Sequence, residues 1–213
     1  MTRVHAVLTG LLIGVLAASV IVFAVMGVRQ HWRRRRLARV GRQLGLEFAA
    51  ADPFDIAQGF GDFALFSAGH SPRAENVSHG RSGRWRVRAF DFLYEVGHGI
   101  HRHTRYTSAV MAEIGSGLGD VTLWDGRDAV DAPLTVRQSR VMRGGRLCDG
   151  SEEAVQRLAN ACGDLDDLHV SAEIHREFLV LCAPVRRVDV YERLAKAIGG
   201  VCDGLCGRDD VKT

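Results

Sequence analysis

Acidic residues are missing from the first 46 positions; the earliest carboxylate is Glu47. Lysine is nearly missing from the whole chain, with two residues, Lys196 and Lys212, against 26 arginines. Arginine codons can be GC-rich and lysine codons are not, so the imbalance fits a GC-rich genome. No CxxC pair occurs among Cys148, Cys162, Cys182, Cys202 and Cys206, and five cysteines cannot all pair within one chain. Cys182 in an apolar run and Cys202 on a helical stripe read as small core residues, which suits a reducing cytoplasmic setting. No GxSxG elbow presents a nucleophilic serine. Gly115, Gly117 and Gly119 precede a strand, not the helix N-terminus that a phosphate loop requires. There is no internal repeat and no low-complexity linker. These absences leave no catalytic signature and imply no cofactor.

Residues 6–28 are 23 consecutive positions without a charged side chain, rich in Leu, Val, Ile, Ala and Gly. At ~1.5 Å per residue they form a helix of roughly 34 Å, against a hydrocarbon core about 30 Å thick. The run therefore predicts a transmembrane helix. A cleaved signal peptide would have a shorter apolar stretch, with Leu16-Ala17-Ala18 or Val22-Phe23-Ala24 as its cleavage site; the length of the run and the arginines behind it favour a retained anchor. Arg29, Arg33, Arg34, Arg35, Arg36, Arg39 and Arg42 follow it, whereas Arg3 alone precedes it. The positive-inside rule then predicts a single-pass protein of a bacterial cell membrane, N-terminus outside and C-terminal domain cytoplasmic. Trp32 falls where an aromatic-belt residue meets the headgroups. Trp32 and the seven arginines are the expected membrane-surface residues, each cation contributing about 1 kcal/mol against anionic headgroups.

An arginine block can also serve nucleic-acid binding. Residues 47–213 hold 20 Lys+Arg against 25 Asp+Glu, a net charge of −5 that would repel a phosphate backbone. The expected partners are the lipid bilayer and a protein the sequence does not identify; nucleic acid is not among them.

The layout expected from these signals is an external N-terminus (1–5), the transmembrane helix (6–28), a basic juxtamembrane helix (29–48), a cytoplasmic α+β domain (49–208) and a tail (209–213). Within the domain, the stretch 54–73 has Phe60, Phe63, Leu65 and Phe66 without a period, and is expected to pack irregularly on the core with one helical turn. In the segment 84–96, apolar residues sit at odd positions up to Ala89 and at even positions from Phe90. That phase change predicts a β-bulge near Ala89–Phe90 and a curved sheet. Tyr106, Ser108, Val110, Ala112 and Ile114 alternate on a second strand, giving a long hairpin. Val121–Trp124, Leu134–Met142 and an alternating pair around His175-Arg176-Glu177 supply further strands. Ser151 caps one helix, and Val188 to Leu205 shows the stripe of a closing amphipathic helix. Six or seven mostly antiparallel strands and two or three helices result.

Leu44-Gly45-Leu46-Glu47-Phe48, Asp52-Pro53, Asn76-Val77-Ser78-His79-Gly80, Phe90-Asp91-Phe92 and Gly97-His98-Gly99 occur in that order. The arrangement resembles a group of uncharacterised bacterial single-pass membrane proteins with a basic juxtamembrane helix, an Asn-Val-x-x-Gly motif and a Phe-Asp-Tyr-like strand, over residues 37–125. Phe92 stands where that group has tyrosine. The resemblance implies the domain layout and supplies no catalytic residues.

Three constellations could carry chemistry. His98, His101 and His103, with His70 and His79 as candidate neighbours, have donor types suited to an open zinc site, although Arg102 and Arg105 oppose a divalent cation. Cys202 and Cys206, four apart on a helix, could hold a metal with Cys148 or Cys162. Asp91, inside an aromatic strand, is expected to bond the free backbone groups of the bulge. The favoured function is a non-enzymatic, membrane-anchored cytoplasmic binding or scaffold module. The alternative is a metal-dependent hydrolase using His98, His101 and His103.

Overall fold

In the computed structural model, which describes residues 2–115, 118–126, 141–143 and 145–207, the apolar run and the arginine block share one helix, α1 (Thr2–Gln43). The chain divides into two compact units, Met1–Arg36 and Leu37–Thr213. In the first, none of the most apolar stretch of α1 is buried by protein. Leu11, Leu12, Leu16, Ile21 and Phe23 are all exposed by more than half. That much aliphatic surface is unfavourable in water and natural in hydrocarbon, where the helix also satisfies its own backbone groups. Among the described residues α1 is the one helix long and apolar enough to cross a membrane.

The second unit begins with the last turns of α1, whose Leu37 and Val40 are buried. Gly45, at φ 72, ends the helix: its N–H donates to the Arg42 carbonyl and the Leu46 N–H to the Gly41 carbonyl. This 6→1, 5→2 pattern turns the chain sharply and drops Leu46 into the core.

Nine described strands then form one sheet: β1 (Glu47–Ala51), β2 (His70–Ser82), β3 (Trp85–Val96), β4 (His103–Glu113), β5 (Val121–Asp125), β6 (Val141–Arg143), β7 (Arg146–Asp149), β8 (Ser171–His175) and β9 (Phe178–Ala183). Their order is β1-β2-β3-β4-β9-β8-β5-β7-β6, and every neighbouring pair is antiparallel. The α+β class is as expected, but six or seven strands undercounts the sheet. The alanine-rich edge strand β1 carries no alternation, the β6–β7 hairpin is short, and β2 (His70–Ser82) lies wholly before the alternating segment 84–96. Residues 134–140 of the expected strand lie outside the described residues.

The bulge expected in β3 lies on its partner strand. Pairing of β3 with β4 is continuous from Arg86↔Glu113 to Val96↔His103. The β2–β3 register slips between His70 and Arg73 and again between Glu75 and Ser78, the second directly opposite Ala89–Asp91. The extra residue at the expected position therefore lies on β2, where Asn76 adopts a left-handed φ of 55. The phase change along β3 has another cause: the sheet is covered on both faces. Trp85, Val87 and Ala89 belong to a core formed with α1, α3 (Glu152–Ala161) and α4 (Val188–Cys206). Phe90, Phe92 and Tyr94 belong to a second core, closed by the segment 56–68. The pleat keeps its period of two throughout, and only the better-covered face changes.

That segment includes the short helix α2 (Ile56–Gly59) and turns that present Phe63, Ala64, Leu65 and Phe66 to the sheet. Phe66 stacks on Phe90 at 6.0 Å and meets Phe92 edge-on at 5.1 Å. The Asp52 carboxylate opens the segment by accepting the Phe54 and Ile56 N–H groups. Gly69 closes it at φ 65; a Cβ there would stand 2.3 Å from the Glu95 carbonyl oxygen, so only glycine fits. Ser151 caps α3 as expected, its Oγ accepting the Ala154 N–H. The closing helix α4 buries Tyr191, Leu194, Ala195, Ile198, Val201 and Leu205 along its predicted stripe.

Candidate functional site

Asp91 is completely buried. β-pairing sets it in one row with Glu75 on β2 and Ser108 on β4. Its Oδ2 accepts from Asn76 Nδ2 at 2.9 Å and from Arg186 Nε at 3.3 Å. The Arg186 guanidinium also lies 3.7 Å from Glu75 and 5.0 Å over the Tyr106 ring. Val185, beside it, accepts from both the N–H and the Oγ of Ser108, which fixes the loop carrying Arg186. At the bulge backbone the Tyr191 hydroxyl lies 3.0 Å from the Asn76 carbonyl oxygen and 2.7 Å from that of Ala89. A buried carboxylate is tolerated only when paired and hydrogen-bonded, and here both conditions are met. Asp91 and Asn76 are fully buried while Arg186 and Glu75 stay partly exposed, and the cluster ties β2, β3, the loop after β9 and α4 together.

A second buried carboxylate holds the covering segment on the opposite face. Both oxygens of Glu173 on β8 accept from the Ala64 N–H, at 2.8 and 2.9 Å. One residue pair further on, His175 lies 2.9 Å from Asp120 and 3.7 Å from Asp62, and Arg176 reaches Asp62 at 2.8 Å. Burial pushes the Glu173 carboxyl up to about 7, overcoming the backbone hydrogen bonds that would lower it. The folded protein therefore holds its proton more tightly than the unfolded chain. This stabilisation is complete below about pH 4.5 and is lost as the pH rises through 7, by up to about 3 kcal/mol. Unfolding at several pH values should show wild type losing stability relative to Glu173→Gln between pH 5 and 8. A constant difference between the two would contradict the raised pKa.

Cys148, Cys162, Cys182 and Cys202 are buried, and Cys206 is half-buried. Cys182 lies on β9 and Cys202 on α4, as core residues. Burial pushes the thiols of Cys162 and Cys202 up to about 12, so neither supplies thiolate near neutrality. Maleimide should modify one thiol rapidly in the folded chain, Cys206, and all five only after denaturation; rapid modification of two or more would contradict this packing.

His98, His101 and His103 occupy the connection between β3 and β4, with a 3-10 turn at Gly99–His101. The His98 ring neighbours His70, centroids 5.3 Å apart, while His103 Nδ1 lies 3.2 Å from the His101 carbonyl oxygen. His79 is elsewhere, edge-on to Phe54. Among the described residues no three His, Cys, Asp or Glu side chains converge as a metal would require. The membrane-surface candidates all lie on α1: Trp32, Arg29, Arg34, Arg35, Arg36, Arg39 and Arg42 are exposed and Arg33 is half-buried. A cavity of about 60 Å³, lined by Tyr94, Arg105, Thr107, Trp124, Ser171 and Cys182 among others, holds no more than a few waters.

Sequence reading missed Arg186, Tyr191 and Glu173. Tyr191 stood on the predicted stripe, but its hydroxyl partners come from strands 115 and 102 residues earlier. Glu173 alternates with Ala172 and Ile174, which in an antiparallel sheet reads as a solvent-facing position.

Fold and surfaces define a class: an antiparallel α+β domain covered on both faces, continuous in sequence with one apolar helix. No family model and no curated protein matches the sequence. Among solved structures, the chain is similar to the crystal structure of the mycobacterial trehalose monomycolate transport factor A. The TM-score is 0.53 at 12% identity, covering 81% of this chain and 96% of that one. Identity this low shows a shared fold alone.

Proposed function

We propose that the chain is a bacterial single-pass membrane protein whose cytoplasmic domain is a non-catalytic adaptor for a membrane-embedded transport assembly. The observation that carries this reading is α1, an apolar helix with no protein cover, followed by an arginine block and a domain whose described carboxylate clusters are spent on its own fold. The charge asymmetry favours a cytoplasmic domain. The fold shared with a transport factor favours an assembly role, and the order of motifs favours kinship with the single-pass group resembled above.

Benzophenone side chains placed singly at the exposed positions Arg81, Gln156 and Arg176 in living cells test the adaptor reading. The expected result is a discrete adduct with one integral membrane protein from positions on one side of the domain. Photolysis that yields no adduct from any exposed position would overturn it.

A further inference from the structure

Among the described residues, the β3–β4 hairpin ends in the most exposed large apolar side chain outside α1. Ile100 is 95% exposed, against 41% for Tyr106, 37% for Phe54 and 36% for Val185. One exposed aliphatic residue is ordinary on a protein surface, but its setting is not. From Val96 to Ala112 there is no carboxylate, while His98, His101, Arg102, His103 and Arg105 surround the apex. The nearest acid, Glu95, is ion-paired with Arg102. Gly97 and Gly99, at φ 85 and 57, build the turn that lifts Ile100 outward. Beneath it the strands pair without interruption over eleven residue pairs, so the apex is presented by a stiff ribbon.

We propose that this apex is a membrane-contact tip, with Ile100 entering the headgroup region of an anionic bilayer and Arg102 and Arg105 facing lipid phosphates. The combination matches what an interface selects: an apolar residue for the acyl boundary, amphipathic imidazole rings beside it, and guanidinium groups for the anionic surface. The proposal rests on the reading of α1 as an anchor, because covalent tethering keeps the domain at high effective concentration beside lipid, where a weak contact suffices. It gives the domain a second attachment point and so a restricted orientation.

The test uses the full chain reconstituted in vesicles of phosphatidylcholine, with or without about one-third phosphatidylglycerol. In a chain that also carries Cys206→Ser, Ile100→Cys carries an environment-sensitive nitrobenzoxadiazole label, and Gln156→Cys, exposed on α3, is the control. The expected result is a blue-shifted label at position 100, quenched by spin-labelled lipid in anionic vesicles, with the control unaffected. Arg102→Glu combined with Arg105→Glu should cut that quenching at least roughly fivefold, the effect of losing about 1 kcal/mol of surface attraction. A label at 100 that stays in water in both lipids overturns the tip, as does equal quenching in neutral and anionic vesicles. Alkaline carbonate separates the two readings. A chain that resists extraction while its tip stays wet refutes the tip alone, whereas a chain that is extracted refutes the anchor.

Discussion

Replacing Asp91 with alanine is expected to destabilise the domain by about 3–5 kcal/mol, lowering its melting temperature by about 10 °C or more. The cost comes from what remains. The Arg186 guanidinium keeps a 3.7 Å approach to Glu75 but loses its buried partner, and the fully buried Asn76 amide loses its acceptor. Breaking a buried pair from one side is far more damaging than removing both partners together. Asp91→Asn retains an acceptor oxygen for Asn76 or Arg186 and should cost about 1–2 kcal/mol. Arg186→Met with Asp91→Leu should recover much of the alanine loss. Near-ultraviolet circular dichroism during thermal unfolding of the detergent-solubilised chain reports the order. An alanine variant as stable as wild type would mean that the cluster contributes nothing to locking β2, β3 and α4.

The second large effect concerns the arginine block. Changing Arg29, Arg33, Arg34, Arg35, Arg36, Arg39 and Arg42 to glutamine, and adding three arginines beside Arg3, is expected to invert the chain in most molecules. Orientation follows the Lys and Arg imbalance close to the apolar segment, and the wild-type imbalance is seven to one before the α-amino group is counted. Arg39 and Arg42 are exposed while the neighbouring Leu37 and Val40 are buried, so the substitutions leave the domain core intact. Protease added to spheroplasts should spare the wild-type domain and digest the inverted one. Equal protection of both would remove the arginines as the topology signal.

How far the chain could be read in advance depended on where each element found its cover. The closing helix was legible because one stripe faces one core: Leu194, Ile198, Val201 and Leu205 are buried as their spacing requires. β4 was legible from Val110, Ala112 and Ile114 on the helix-covered core, although Ala109 and Met111 are buried on its other face. β3 carried the right information and was misjudged, since a phase change looks like a bulge when only one face is assumed to be buried. The cover for its second face comes from Phe63, Leu65 and Phe66, whose spacing has no period. β1 reads Glu-Phe-Ala-Ala-Ala, with no β-branched residue and no alternation; its pairing with β2 over Glu47↔His79 to Ala51↔Glu75 holds it as a strand.

The motif residues that prompted the family resemblance serve the scaffold. Gly45 and Leu46 end α1, Asp52 opens the covering segment, and Asn76 forms the bulge that binds Asp91. They define a fold and leave the partner unspecified. The same holds for the buried carboxylates, whose roles needed the three-dimensional neighbours Arg186 and Ala64 to become visible. The histidine apex was the reverse case. Its residues were conspicuous in sequence, yet the feature that gives it a purpose is Ile100, unremarked among them until its exposure was known.

On the proposed function, one uncleaved helix tethers a cytoplasmic domain to the membrane, and a paired reporter fusion at Thr213 tests that arrangement. With the full chain retained, a fluorescent protein that matures only in the cytoplasm should light the cell envelope, and alkaline phosphatase at the same position should stay inactive. Active phosphatase with a dark fluorescent fusion, or a mature chain that begins after Ala24, would contradict the account.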